Sequence, residues 1–109
     1  MYEYKAVIIN VVDGDTVDAD VDVGFRMHTI NRFRIIGIDA PSIRTLDLEE
    51  KKRGFLAKEY VEDILLNKEV IIQTYKSDSF GRWLAEIIID GNKITEMLLE
   101  SGHAIVYKR

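Results

Sequence analysis

The sequence predicts an α+β domain, mainly β, whose strands close into a small five-stranded barrel carrying one main helix and one short helix. Two observations predict it. Short runs rich in Val and Ile, bounded by Gly, Asp and Asn, dominate the 109 residues. One stretch with helical spacing interrupts them after the third run.

The elements follow in order. Residues 5–12 are rich in β-branched side chains and read as a strand, with Asp13-Gly14-Asp15 as the turn after it. Residues 16–23 alternate, with Val17, Ala19, Val21 and Val23 on one face and Asp18, Asp20 and Asp22 on the other. That period of two marks a half-buried strand and makes the pair a hairpin. Gly24 ends it, and a third strand is placed over residues 32–38, with Phe33, Ile35 and Ile36 apolar. Asp39-Ala40-Pro41 closes that strand, and residues 42–53 read as a charged loop. Asp47 with Glu50 three residues on has the spacing of a helix cap. Gly54 is a poor interior helix residue, so the helix is expected to begin there. Leu56, Ala57, Tyr60, Val61, Ile64 and Leu65 share one helical face, and Asn67 ends it. Residues 69–75 form a strand, 77–81 a turn and 82–89 a strand, and Asp90-Gly91 turns the chain. Ile94, Met97 and Leu98 suggest a short helix stopped by Gly102, and residues 104–107 a last strand. The order of three strands, helix, two strands, short helix and terminal strand suits a Greek-key barrel of the OB type, and periodicity alone does not separate this from another small α+β barrel. With no repeat or linker, 1–109 reads as a single domain.

Composition excludes some classes. There is no cysteine, hence no disulfide framework and no thiolate metal site. No apolar stretch approaches a membrane span, and no signal peptide opens the chain, so a soluble, cytoplasmic, monomeric protein is the expectation. The net charge of −4 argues mildly against a nucleic-acid partner, because phosphate binding usually rides on a basic surface. Local charge differs: Arg32, Arg34, Arg44, Lys51, Lys52 and Arg53 fall in one segment.

The chemistry-bearing candidates are acids and arginines. Asp13 and Asp15 lie in one turn, and Asp39 ends a different strand. If those strands are neighbours, Asp15 and Asp39 converge into a hard-oxygen site suited to Ca²⁺. Taken alone, Asp-Gly-Asp reads as a turn and Asp39 as a strand end. Arg34 and Arg82 carry guanidinium forks that match two phosphate oxygens. Taken alone, either reads as a solvated strand residue.

The combination is more specific. Val12-Asp13-Gly14-Asp15-Thr16-Val17 is followed by Phe33-Arg34-Ile35-Ile36-Gly37-Ile38-Asp39-Ala40-Pro41 and then by Asp78-Ser79-Phe80-Gly81-Arg82. In that order these motifs resemble the signature of the staphylococcal nuclease (thermonuclease) family, over roughly residues 5–107. The resemblance implies an OB-fold that hydrolyses phosphodiesters of DNA or RNA, single strands preferred, with Ca²⁺. It implies Asp15, Asp39 and the Ala40 carbonyl as metal ligands, with Asp13 behind them orienting the site. It implies Arg34 and Arg82 gripping the scissile phosphate.

The chain departs from the family at one chemically decisive position. Where the family places a glutamate as general base, directly after the proline, this sequence has Ser42. A neutral hydroxyl cannot take a proton from water at useful pH, and a lost base costs about 10²–10⁴ in rate. Glu49 or Glu50 could substitute, or be solvated loop or cap charges. Ser79-Phe80 replaces an aromatic-basic pair, and Tyr107 only approximately matches a family tyrosine, with a core role as its alternative. The expectation is therefore a weakened Ca²⁺-dependent nuclease. The alternative is an inactive OB-fold module binding single-stranded nucleic acid or a protein partner. Asp18, Asp20 and Asp22 lack the Gly and Glu of a calcium loop, and His28 and His103 lack metal-ligand spacing. Trp83, Phe25 and Phe55 are read as core in preference to base-stacking platforms.

Overall fold

Strands with one apolar face must remove that face from water, and this chain does so by wrapping one sheet onto itself. The structure, a computed structural model, describes residues 2–77 and 82–107. The elements run β1 (Tyr2–Asp13), β2 (Thr16–Gly24), β3 (Met27–Ile35), β4 (Ile38–Asp39), α1 (Leu48–Leu65), β5 (Glu69–Ser77), β6 (Trp83–Ile89), β7 (Asn92–Lys93), α2 (Ile94–Ser101) and β8 (Ile105–Val106).

β1 is the hub. Its second half pairs antiparallel with β2 and its first half with β5. The order β3-β2-β1-β5-β6 is closed by a parallel pairing of β3 with β6, Phe33 opposite Trp83 and Ile35 opposite Ala85. The result is the expected five-stranded closed OB-type barrel. β7 extends β6 as a hairpin, and β4 pairs with β8 beside the barrel mouth.

Inside lie Ile8, Val11, Val17, Ala19, Val21, Phe33, Ile35, Val70, Ile72, Ala85 and Ile87. Val61 and Leu65 of α1 and Ile94 and Leu98 of α2 plug the barrel. Each fully buried aliphatic side chain contributes about 1.5–3 kcal/mol over its exposed state. Ile8 and Val11 both point inward although three residues apart, because the β1–β2 register shifts between Ile8 and Asn10.

Three expectations are corrected. β3 begins at Met27, five residues before the expected Arg32, and pairs with β2 through a turn at Phe25 and Arg26. Those two residues adopt left-handed backbone, φ 54° and 63°, without the Asn-Gly signal that usually announces such a turn. α1 begins at Leu48, not at Gly54, because Asp47 caps it by accepting from the amides of Glu49 and Glu50. The expected loop 42–53 is therefore helical over its last six residues. Leu56 leaves the apolar face and is half exposed, while Gly54 takes an inward place. The turn expected at 77–81 lies outside the described residues, apart from Ser77 at the end of β5.

Candidate functional site

The β1–β2 turn carries the first pair of acids. Asp13 Oδ1 accepts the amide of Asp15 at 3.0 Å, which fixes the turn. The Asp15 carbonyl accepts the amide of Ile35 at 2.8 Å, which ties that turn to the end of β3. Gly14 between them is required by packing. A Cβ there would lie 2.8 Å from Ala57 Cβ of α1 and 2.9 Å from Ala40 Cβ. Gly14, Ala40 and Ala57 thus let turn, helix and the segment after β4 approach closely.

The Asp15 side chain is nearly buried, and its oxygens are occupied. Oδ1 accepts the Thr16 hydroxyl at 3.0 Å and Oδ2 the Ala40 amide at 3.1 Å. Arg34 Nη1 lies 3.3 Å from the same Oδ2, and Arg34 Nη2 lies 3.4 Å from Asp39 Oδ1. One guanidinium therefore bridges two carboxylates that are 24 residues apart in sequence, from Asp15 to Asp39. The Arg34 side chain is 13% exposed, whereas that of Asp39 is 52% exposed and open to a ligand. The Tyr107 ring covers the guanidinium carbon at 5.5 Å, a cation–π contact. Tyr107 is half exposed, so it belongs to this cluster and not to the core.

Two cavities flank the chain after β4. One, of about 380 Å³, is lined by Asp13, Thr16, Arg32, Ser42, Arg44 and Arg82 with Val12. It brings Arg82 and Ser42 to the side of Asp13, and it gathers the local positive charge that the net charge conceals. The other, of about 500 Å³, is lined by Asp39, Ala40, Pro41, Glu50 and Arg53 among others. Ser42 is exposed, and its amide donates to Glu50 Oε2 at 3.3 Å. The structure thus brings Asp13, Asp15, Arg34, Asp39, Ala40, Ser42 and Arg82 to one end of the barrel.

The Asp13 carboxyl is pushed up to about 6, first by burial and then by its hydrogen bond and repulsion with Asp15. Its pKa in the folded chain exceeds the unfolded value of 3.8, so the native state holds a proton that the unfolded chain has shed. That contribution to stability is present below pH 4 and lost as pH rises through about 6. Asp13 is partly solvated, so the effect is discounted to about 1 kcal/mol. In EDTA, Asp13→Asn is expected to match the wild type near pH 4 and to exceed it by that amount at pH 7, as read by urea unfolding.

Sequence reasoning passed over Thr16, which is buried and holds Asp15; its only signal was a hydroxyl where the alternation of β2 begins. Phe25, Phe55 and Trp83 are exposed, not core. His28 meets Asp20 at the surface, and His103 stacks on Tyr60 with ring centres 4.6 Å apart. Asp18 is held by Arg32 at 2.8 Å and Asn10 at 3.1 Å, which makes the acidic row a polar strand face. The 78–81 part of the third motif lies outside the described residues.

The chain resembles an uncharacterized protein of Methanocaldococcus jannaschii, with 32% identity over 95% of this chain and 59% of that protein. It is 27% identical to Endonuclease YhcR of Bacillus subtilis over 96% of this chain and 9% of that one. It is 29% identical to Thermonuclease of Staphylococcus hyicus over 89% of this chain and 56% of that one. The chain thus spans less than two thirds of the length of these relatives. The model of the family described as Staphylococcal nuclease homologue matches residues 32–109, from Arg34 and Asp39 of the carboxylate pair through both helices to β8. With that match and a closed barrel that presents the acids and arginines at one end, the chain belongs to the staphylococcal nuclease family.

Proposed function

We propose that this domain hydrolyses phosphodiester bonds of single-stranded DNA or RNA with Ca²⁺, at a rate lowered by Ser42. The observation that carries the reading is the bridging of Asp15 and Asp39 by Arg34 beside Ala40. The nuclease names of two relatives agree with it.

The donors are of the hard-oxygen type that Ca²⁺ takes, and in this structure the Arg34 guanidinium holds the positive charge between the two carboxylates. Among the described residues no three acidic or histidine side chains group closely enough to hold a metal. The residues that would hold it are those the family resemblance implies, the Asp15 and Asp39 carboxylates and the Ala40 carbonyl, all hard oxygens. The half-exposed Asp39 is open to such a cation. A Ca²⁺ ion held there would supply positive charge against a phosphoryl oxygen. Arg34 and Arg82 would donate their N–H groups to the remaining phosphate oxygens and neutralise the charge that grows on them. Thr16 and the Ala40 amide hold Asp15 in place for this, so little reorganisation is needed during reaction.

The test is incubation of the chain with single-stranded DNA and RNA in Ca²⁺ or in EDTA. Cleavage that needs Ca²⁺ is expected, and none even at high enzyme ends the reading. Ser42→Glu is expected to raise the rate by about tenfold or more, since a positioned base is worth 10²–10⁴. An unchanged rate in a folded variant contradicts the role given to position 42.

A second reading, a non-cleaving module for single-stranded nucleic acid, is favoured by Ser42 and by the arginine-lined cavity. Anisotropy of a labelled oligonucleotide checks it: salt-sensitive binding without cleavage supports it, and salt-insensitive binding opposes a phosphate-driven mode.

A further inference from the structure

The residue at position 42 has no carboxylate, yet a carboxylate stands beside it. Glu50 reaches back from the first turn of α1 and accepts the Ser42 amide at 3.3 Å. The approach is built into the fold. Asp47 caps α1 and fixes the direction of its first turn. Gly54, one turn after Glu50, lets the Pro41–Ser42 main chain lie against the helix, where a Cβ would stand 2.7 Å from the Ser42 carbonyl oxygen. Glu50 is half-buried and lines the same cavity as Asp39 and Ala40. Glu49, its neighbour, is exposed.

Resting on the nuclease reading above, we infer that Glu50 is the general base of this chain, delivered to position 42 from the helix. It takes one proton from the attacking water as the water oxygen bonds to phosphorus. The bond from phosphorus to the leaving sugar oxygen breaks with its electron pair, and that alkoxide takes a proton from solvent. Glu50 then gives its proton to bulk water. One water is consumed, and one phosphomonoester and one hydroxyl are formed. Because Glu50 also holds the Ser42 amide, it is a slower base than a glutamate at 42 would be.

The experiment compares the wild type, Glu50→Gln, Glu49→Gln and the double variant Ser42→Glu/Glu50→Gln, with single-stranded DNA and Ca²⁺. The amide of Glu50→Gln still accepts the Ser42 N–H, so the fold is kept. Its kcat is expected to fall about 10²-fold with KM little changed. Oligonucleotide affinity in EDTA and the rise of Tm with Ca²⁺ are expected to stay as in the wild type. Glu49→Gln is expected to cleave normally, and Ser42→Glu to restore cleavage to Glu50→Gln. Glu50→Gln cleaving at the wild-type rate, or losing oligonucleotide and Ca²⁺ binding in proportion to its activity, overturns the assignment. A wild type that cleaves nothing overturns the nuclease reading, and the base with it; an active wild type with an equally active Glu50→Gln overturns the base alone.

Discussion

Arg34→Ala is expected to lower Ca²⁺-dependent cleavage about 10³-fold, of the order lost when one preorganised donor to a developing oxyanion is removed. The same substitution is expected to destabilise the ion-free chain by about 2–3 kcal/mol, below the 3–5 of a fully buried pair because Asp39 is open to water. The reason is the position of Asp15. Its carboxylate is 12% exposed and faces Arg34 at 3.3 Å, and removal of the guanidinium leaves a shielded charge without its cation. Tyr107 also loses the cation beneath its ring. Arg34→Lys keeps the charge but not the fork that spans two carboxylates, so it is expected to recover stability better than activity. Calcium separates the two effects. A cation shared by Asp15 and Asp39 takes over the neutralisation, so Ca²⁺ should raise the Tm of Arg34→Ala by more than it raises that of the wild type. Chemical denaturation with and without Ca²⁺, beside single-turnover cleavage, reads all three. A variant as stable as the wild type in EDTA would show that the bridge carries no weight in the fold.

What the sequence disclosed, and what it hid, follows from where each segment faces. Val17, Ala19 and Val21 line the barrel and the acids between them face water, so the alternation of β2 was legible. Met27, His28, Thr29 and Ile30 are all exposed, so the first half of β3 has no buried face and writes no period. The acids and arginines of the site stood out because three short motifs kept their order. Their convergence depends on three-dimensional pairings: Thr16 opposite Arg34 between β2 and β3, the Ala40 amide on Asp15, and β3 on β6, which sets Trp83, next to Arg82, opposite Phe33. The contact of Glu50 with Ser42 was beyond the sequence for another reason. It depends on α1 starting at Leu48, and Gly54 made a helix there look unfavourable.

That glycine yields the other large expected effect. In a solvent-facing helix position Gly→Ala stabilises by about 1 kcal/mol. Gly54→Ala is expected to do the opposite, because the methyl group meets main chain: the Ser42 carbonyl oxygen at 2.7 Å, its carbon at 2.8 Å and the Pro41 carbonyl oxygen at 2.9 Å. None of these is the flexible end of a side chain, so either α1 or the segment after Ala40 must move. Overpacking of this kind costs about 1–3 kcal/mol, which outweighs the gain in helix propensity. The functional loss should be larger than the loss of stability suggests. Displacing that segment moves Ala40, whose amide holds Asp15, and Ser42, which Glu50 reaches. A misplacement of about 1 Å at reacting groups is enough for a 10²-fold loss of rate. Gly54→Ala is therefore expected to fall about 10²-fold in kcat while losing about 1–2 kcal/mol by urea unfolding. A rise in Tm with unchanged cleavage would mean that α1 and the Pro41–Ser42 segment can separate freely, and the coupling of the helix to the site would fall with it.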